Sequence, residues 1–234
     1  NVKSNGKIAM KLPTGTTLVG ARICSDINDV LLTTSMGKAI RFPVTDVRVF
    51  KGRDSIGVRG IKLAQNDFVV SMAIISHVES NSEERYAYFR MRRSVLEDEN
   101  TADHSQISQS NLKLSDERFQ ELSNQEEWIL TITAAGFGKR SSAHEYRTSS
   151  RGGQGISAAN LGRRDDTIIS SIPVDEDDQI MLVTSTGQSI RCAVGGISRQ
   201  SRTASGVTVF NTKEEEKVVS VALIAEQNDP EIEN

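Results

Sequence analysis

The chain has 234 residues, 37% of them hydrophobic and 5% aromatic, with a formal net charge of −3. That length can bury the core of one or two domains, and no apolar run approaches the roughly 18 to 20 residues of a membrane span. The opening NVKSNGKIAM has neither an initiating Met nor a signal-peptide core, and Cys24 and Cys192 stand in unrelated contexts; the sequence reads as a fragment of a cytoplasmic protein with two reduced thiols.

In chain order, NGKIAMKL (5–12) and TLVGARI (17–23) predict the second half of a strand-rich unit within residues 1–27. The first full unit, 28–77, opens with NDVLLTTSMGKAIRF, where β-branched runs flank a glycine turn and predict a hairpin. A glycine segment, GVRGIKL (57–63), and a strand, DFVVSMAII (67–75), complete it. Residues 78–125 differ in kind. ERYAYFRMRRSVLEDE and LSDERFQELSNQEEW favour helix, with Ser115 as an N-cap ahead of Asp116 and Glu117, and the polar NTADHSQISQSN between them predicts a disordered loop. The unit pattern then returns in 126–176 with EEWILTITAAGFGKRSS, RGGQGISAANL and DTIISSIPV. It returns again in 177–224 with DDQIMLVTSTGQSIRCAV, ASGVTVF and EKVVSVALI, before an acidic tail at 225–234.

Gly138 and Gly187 are 49 residues apart, and Gly37 and Gly138 are 101 apart, one period plus an insertion of about 50 residues. A four-stranded unit at that period predicts an all-β, propeller-like fold, since such units cannot bury both faces alone. A plain sandwich would not predict the period. Charge is divided along the same lines: residues 78–127 carry 12 acidic and 6 basic side chains, and 211–234 carry 7 and 2. The remaining body holds 20 basic against 12 acidic side chains, a distribution suited to a polyanion partner.

GKAIRF…GVRGIKL…DFVVSMAII, GFGKRSSAHEYRTSSRGGQGI and DQIMLVTSTGQSIR, in that order and spacing, resemble the C-terminal domain of the bacterial DNA gyrase A subunit. The resemblance covers nearly all of the chain outside the insertion. It implies a β-pinwheel whose blades exchange a strand with their neighbours and wrap duplex DNA around a basic rim to direct negative supercoiling. It implies as partners the N-terminal core of the gyrase A subunit and the gyrase B subunit. ATP and magnesium would be bound by other domains, with no cofactor here. The family's Gln-Arg-Arg-Gly-Gly-basic-Gly heptad is not matched; Ser149-Ser150-Arg151-Gly152-Gly153-Gln154-Gly155 keeps only its glycines and one Arg. The equivalent domain of the topoisomerase IV A subunit is the alternative. A protein-interaction propeller without a DNA role would instead show recurrent exposed aromatic or apolar residues.

Wrapping requires many phosphate contacts along a curve and few base contacts. Candidate contacts follow the repeat: Lys38, Arg41, Arg48, Lys51, Arg53, Arg59 and Lys62 in the first unit; Lys139, Arg140, Arg147 and Arg151 in the second; Arg191, Arg199 and Arg202 in the third. The adjacent glycines serve the turns of a β fold before they serve a ligand.

Other constellations fall short. Asp175, Glu176, Asp177 and Asp178 lack the spacing and glycine of a calcium loop. His77, His104 and His144 are scattered and give no zinc pattern. No nucleophile elbow or Walker loop is present. Tyr86, Tyr88 and Tyr146 match no catalytic position, and Tyr146 is expected to pack against its blade.

Overall fold

The computed structural model describes residues 6–96, 113–162, 166–213 and 215–224. Three antiparallel sheets follow one plan. In the first, β1 (Asn28–Thr34) and β2 (Lys38–Pro43) form the hairpin, and β3 (Val69–Ser76) lies on the other side of β1. In the second, β4 (Trp128–Thr133) and β5 (Phe137–Ser142) form the hairpin and β7 (Ile168–Val174) flanks β4. In the third, β8 (Gln179–Thr184) pairs with β9 (Ser189–Ala193) and β11 (Val218–Ile224). Each hairpin turns through Thr-x-x-Gly. The carbonyls of Thr34, Thr133 and Thr184 accept from the amides of Gly37, Gly136 and Gly187 at 3.1, 3.1 and 3.0 Å. Those glycines sit at φ of 81°, 80° and 83°, a conformation that strains residues with a Cβ. The second repeat is therefore keyed by Gly136, not Gly138, and the turn glycines are spaced 99 and 51 residues apart.

The blades are joined by strand exchange. β6 (Ile156–Ser157), from the glycine segment of the second unit, pairs with β2 of the first. β10 (Val207–Thr208), from that of the third unit, pairs with β5 of the second. Both are two residues long and follow a left-handed glycine, Gly155 at φ 72° and Gly206 at φ 83°. Gly155 is pressed against the Ala39 carbonyl and Gly206 against the backbone of Gly138, leaving no room for a Cβ. Two of the apolar cores lie between blades. Leu31, Ala39 and Ile75 of the first pack with Ile129, Tyr146, Ala158 and Ile168 of the second; Leu130 and Ile132 pack with Ile180, Leu182, Val194 and Val218 of the third. Each fully buried Leu or Ile contributes roughly 1.5 to 3 kcal/mol, so the blades stabilise one another. Tyr146, 1% exposed, packs as expected.

The insertion is partly helical. α1 (Ser82–Leu96) and α2 (Asp116–Asn124) enclose Val78, Ala87, Tyr88, Leu114 and Leu122. Ser115 caps α2, its hydroxyl accepting from the Arg118 amide at 3.2 Å. The polar loop expected to be disordered lies outside the described residues. The helical pair docks on the second blade: His144 Nε2 lies 2.8 Å from the Leu122 carbonyl, and its ring meets Tyr88 edge-on at 5.4 Å.

Residues 6–27 differ from expectation. They form no strand, and Ile8, Leu18, Ile23 and Ile27 are exposed. A strand needs a ladder to satisfy its amides and carbonyls, and no described strand lies beside this segment.

Candidate nucleic-acid interface

A 3-10 turn follows each hairpin, at Val44–Asp46, Ala143–Glu145 and Val194–Gly196. The chain then enters a cationic loop: Arg48, Lys51 and Arg53 in the first unit, Arg147 and Arg151 in the second, Arg199 and Arg202 in the third. Two parallel bridges, Arg41 to Thr148 and Arg140 to Arg199, lay each later loop alongside the hairpin of the blade before it. The three loops are thus carried to the same end of successive blades.

The cations in these loops are not equivalent. Arg48, Lys51, Arg53, Arg59, Lys62 and Arg147 are exposed, as are Lys38 and Arg191 on the hairpins. The Arg48 guanidinium lies 5.4 Å from the Phe50 ring. Arg199 is exposed but held in place: its Nη2 is 2.6 Å from Glu176, and its guanidinium stacks 4.6 Å from the Trp128 ring. Arg151 is half-buried and donates from Nε to the Asp46 carbonyl at 2.9 Å and from Nη1 to the Arg59 carbonyl at 3.2 Å. Arg202 is half-buried and donates to the Ser157 carbonyl.

Three of the expected phosphate contacts are corrected by burial. Arg41 is 4% exposed, Lys139 1% and Arg140 4%. Arg41 pairs with Asp29 at 2.6 Å and donates to the carbonyls of Ala143 and Ser76, both at 2.9 Å. Arg140 pairs with Glu176 at 2.5 Å and donates to the carbonyls of Ile197 and Gly195 at 2.6 and 3.1 Å. Both arginines stand four residues after the turn glycine, and both clasp the 3-10 turn of the following blade. Lys139 Nζ is surrounded by the carbonyls of Ser201, Arg202 and Ala204. Burial pushes its ammonium down to about 7, opposed by the nearby Glu145 carboxylate. These side chains found backbone carbonyls where phosphate oxygens were expected. Arg191, the third member of the series, is exposed and donates to Gln179.

Glu176, in the acidic loop, pairs with both Arg140 and Arg199. Hydrogen bonds from Arg140 and Arg199 hold its carboxyl below the usual range. It links a buried interblade clasp to an exposed rim cation. Elsewhere, a polar cleft of about 570 Å³ beside α1 is lined by His77, Glu84, Arg118 and Glu121. Arg118 is already paired with both glutamates, at 3.0 and 2.6 Å. Among the described residues, no group of three or more His, Cys, Asp or Glu side chains could hold a metal, and no helix is long and apolar enough to cross a membrane.

Residues 28–76, 127–175 and 178–225 match the sequence model of a family described as DNA gyrase C-terminal domain, beta-propeller. The insertion falls outside the match. The chain is 42% identical over 240 residues to the DNA gyrase A subunit of Granulibacter bethesdensis, covering 97% of this chain and 26% of that protein. Against the DNA gyrase A subunit of Rickettsia prowazekii it is 39% identical over 230 residues, covering 98% and 25%. It therefore spans about a quarter of the length of these relatives. Among solved structures, the C-terminal domain of DNA topoisomerase IV superposes with a TM-score of 0.66 at 20% identity, over 92% of this chain and 52% of that one. The E. coli ParC C-terminal domain gives 0.54 at 11% identity, over 93% and 70%. At such identities these two likenesses concern the fold.

Proposed function

The chain belongs to the DNA gyrase C-terminal domain, beta-propeller family, and from that premise we propose that it binds and wraps duplex DNA on the three cationic loops. The wrapped segment would be delivered to the cleavage core of an ATP-dependent type II topoisomerase to direct negative supercoiling. The carrying observation is the repetition of the loops. Arg48, Lys51 and Arg53, then Arg147, then Arg199 reach solvent at corresponding places on successive blades. Cations recurring along a curve suit a bent polyanion. Bending a 20–30 bp site costs roughly 1 to 6 kcal/mol, which distributed phosphate contacts can offset.

The clasps support the same reading. Arg41 and Arg140 fix the angle between blades, and that angle sets the curvature offered to DNA. In this reading the chain catalyses nothing itself. The N-terminal core of the gyrase A subunit and the gyrase B subunit are its partners in the cytoplasm, and ATP and magnesium are bound there, not here. The topoisomerase IV alternative draws on likeness of fold alone, whereas the sequence relatives named above are gyrase A subunits.

The test is fluorescence anisotropy of the chain with two unrelated duplexes of a few tens of base pairs over a salt series. Wrapping through phosphates gives a steep negative slope of log K against log salt, the same for both sequences. A flat slope, or no binding at low salt, removes the DNA role from these blades.

A further inference from the structure

One strand position holds an arginine in all three blades, with three different side chains. Asp29, Trp128 and Gln179 share a register place: each stands two residues before the partner of the arginine that follows the turn glycine. Those partners are Leu31 for Arg41, Leu130 for Arg140 and Met181 for Arg191. Asp29 and Gln179 each accept a hydrogen bond from their arginine. Trp128 has no acceptor to offer, and Arg140 takes its carboxylate from Glu176 instead. The indole is thereby left to another arginine. The guanidinium of Arg199, in the third rim loop, lies over its ring at 4.6 Å, inside the roughly 6 Å reach of a cation–π contact.

The insertion supports the same ring. Arg92 of α1 lies over it at 5.4 Å and over the Phe89 ring at 5.0 Å. Arg92 is anchored by Glu126, whose side chain is 8% exposed and whose other carboxylate oxygen accepts from the Tyr88 hydroxyl at 3.0 Å. Tyr88 is fully buried in the core of the insertion. A continuous run of contacts thus leads from that core, through Arg92 and Trp128, to a cation of the rim.

Arg199 is the surplus charge of its own group. Glu176 is one carboxylate between two arginines, its Oε2 2.5 Å from Arg140 and 2.6 Å from Arg199. Arg140 is buried, whereas the Arg199 side chain is 51% exposed. A phosphate arriving at the rim can take Arg199 without stranding Glu176, which keeps Arg140. Among the described residues only Nη2 of Arg199 donates, so its remaining donors are available to phosphate oxygens. A guanidinium held over an aromatic face gives up its side-chain freedom before the ligand arrives, which lowers the cost of binding.

We propose that Trp128, supported by Arg92 of the insertion, is a positioning residue that holds the Arg199 guanidinium for one backbone phosphate of bound duplex DNA. This rests on the DNA-wrapping reading above and gives the insertion a part in it without a DNA contact of its own.

The experiment measures duplex binding over a salt series by the 234-residue chain and by Arg199→Gln, Trp128→Leu, the double variant, Trp128→Phe and Arg92→Gln, each shown by thermal melting to be folded at the binding temperature. Arg199→Gln is expected to weaken binding several-fold and to reduce the salt slope by about 0.9, the share of one phosphate. Trp128→Leu should weaken binding in the same direction, and Trp128→Phe, which keeps an aromatic face, should recover most of that loss. The double variant should bind like Arg199→Gln, because the indole acts through that guanidinium; additive losses overturn the positioning role. Arg92→Gln should weaken binding less than Trp128→Leu does, and wild-type binding by it removes the insertion from the site. Trp128 is the only tryptophan of the chain, so its emission reports on the ring without any substitution there. That emission should change as the wild-type chain takes up duplex and stay constant in Arg199→Gln at saturating duplex. Constant emission in the wild-type chain overturns the proposal even where Trp128→Leu does not fold. Steep salt-dependent binding that Arg199→Gln leaves unaltered overturns it while wrapping by the other rim cations stands. Absence of salt-dependent binding by the wild-type chain overturns both readings together.

Discussion

Arg41 Nε stands 2.6 Å from Asp29 Oδ2, with the two side chains 3% and 0% exposed, and the same guanidinium donates to the Ala143 carbonyl of the next blade. A buried pair of this kind is costly to break because the surviving charge loses its partner. Removing one member of such a pair costs about 3 to 5 kcal/mol. Arg41→Gln is therefore expected to lower stability by that order in urea unfolding. Arg140→Gln should cost less, since its partner Glu176 is 51% exposed and water can replace the lost contact. An Arg41→Gln chain with wild-type stability but weakened DNA binding would return this residue to the rim.

The misplacement of Arg41 shows what the sequence carried and what it hid. The hairpins, the glycine segments and the insertion followed from β-branched runs, glycines and composition, whereas the strand exchange came only from the family resemblance. A charge within a strand reads as a solvated face only when one face of the sheet is wet. Here Ala39, Ile40, Arg41 and Phe42 are all buried, because the second blade covers one face of the sheet and Ile61 of the unit's own glycine segment packs on the other. The signal that was present is positional: Arg41 and Arg140 both lie four residues after a turn glycine. Their acceptors are backbone carbonyls and two carboxylates of unlike origin. Asp29 lies on the adjacent strand, diagonal to Arg41, whereas Glu176 sits in the loop between blades. No pairwise sequence pattern links both cases.

Gly155 tests the strand exchange. It holds φ 72° and its Cα faces the Ala39 carbonyl too closely for a methyl group. Gly155→Ala would meet the left-handed penalty of about 1 to 2 kcal/mol and displace β6 from β2 as well. The expected outcome is a loss of at least that size, with amide exchange accelerated at Lys38 and Ala39, the residues that β6 pairs with. Gly187→Ala makes the comparison: its φ is similar, but no atom lies within 4 Å of the added Cβ. It should lose only the conformational share. Equal losses in the two variants would show that the contact with Ala39 does not matter.

The first rim loop separates binding from stability. Arg48, Lys51 and Arg53 are exposed and make no ion pair among the described residues. Exposed substitutions of this kind change stability by about 0.5 kcal/mol or less. Replacing all three by Gln is expected to leave the melting temperature near wild type. The salt slope should fall by about 0.9 for each cation that touches a phosphate. A triple variant with an unchanged slope would take this loop out of the DNA path.

Lys139 gives the interblade contacts a pH dependence whose sign can be worked out. Its ammonium is buried against the loop of the third blade and titrates near 7, while an unfolded lysine titrates near 10.5. Between those values the unfolded chain binds a proton that the folded chain does not. Stability therefore rises with pH across that window, and below it the folded state carries the full cost of a buried charge. The carbonyls of Ser201, Arg202 and Ala204 soften that cost but do not remove it. Urea unfolding between about pH 7 and 10 should show a positive slope in the wild-type chain. Lys139→Met should flatten the slope, while lowering stability overall because three carbonyls lose their donor. Equal slopes in the two chains would mean that the three carbonyls hold the ammonium charged throughout, so that it acts as a permanent interblade staple.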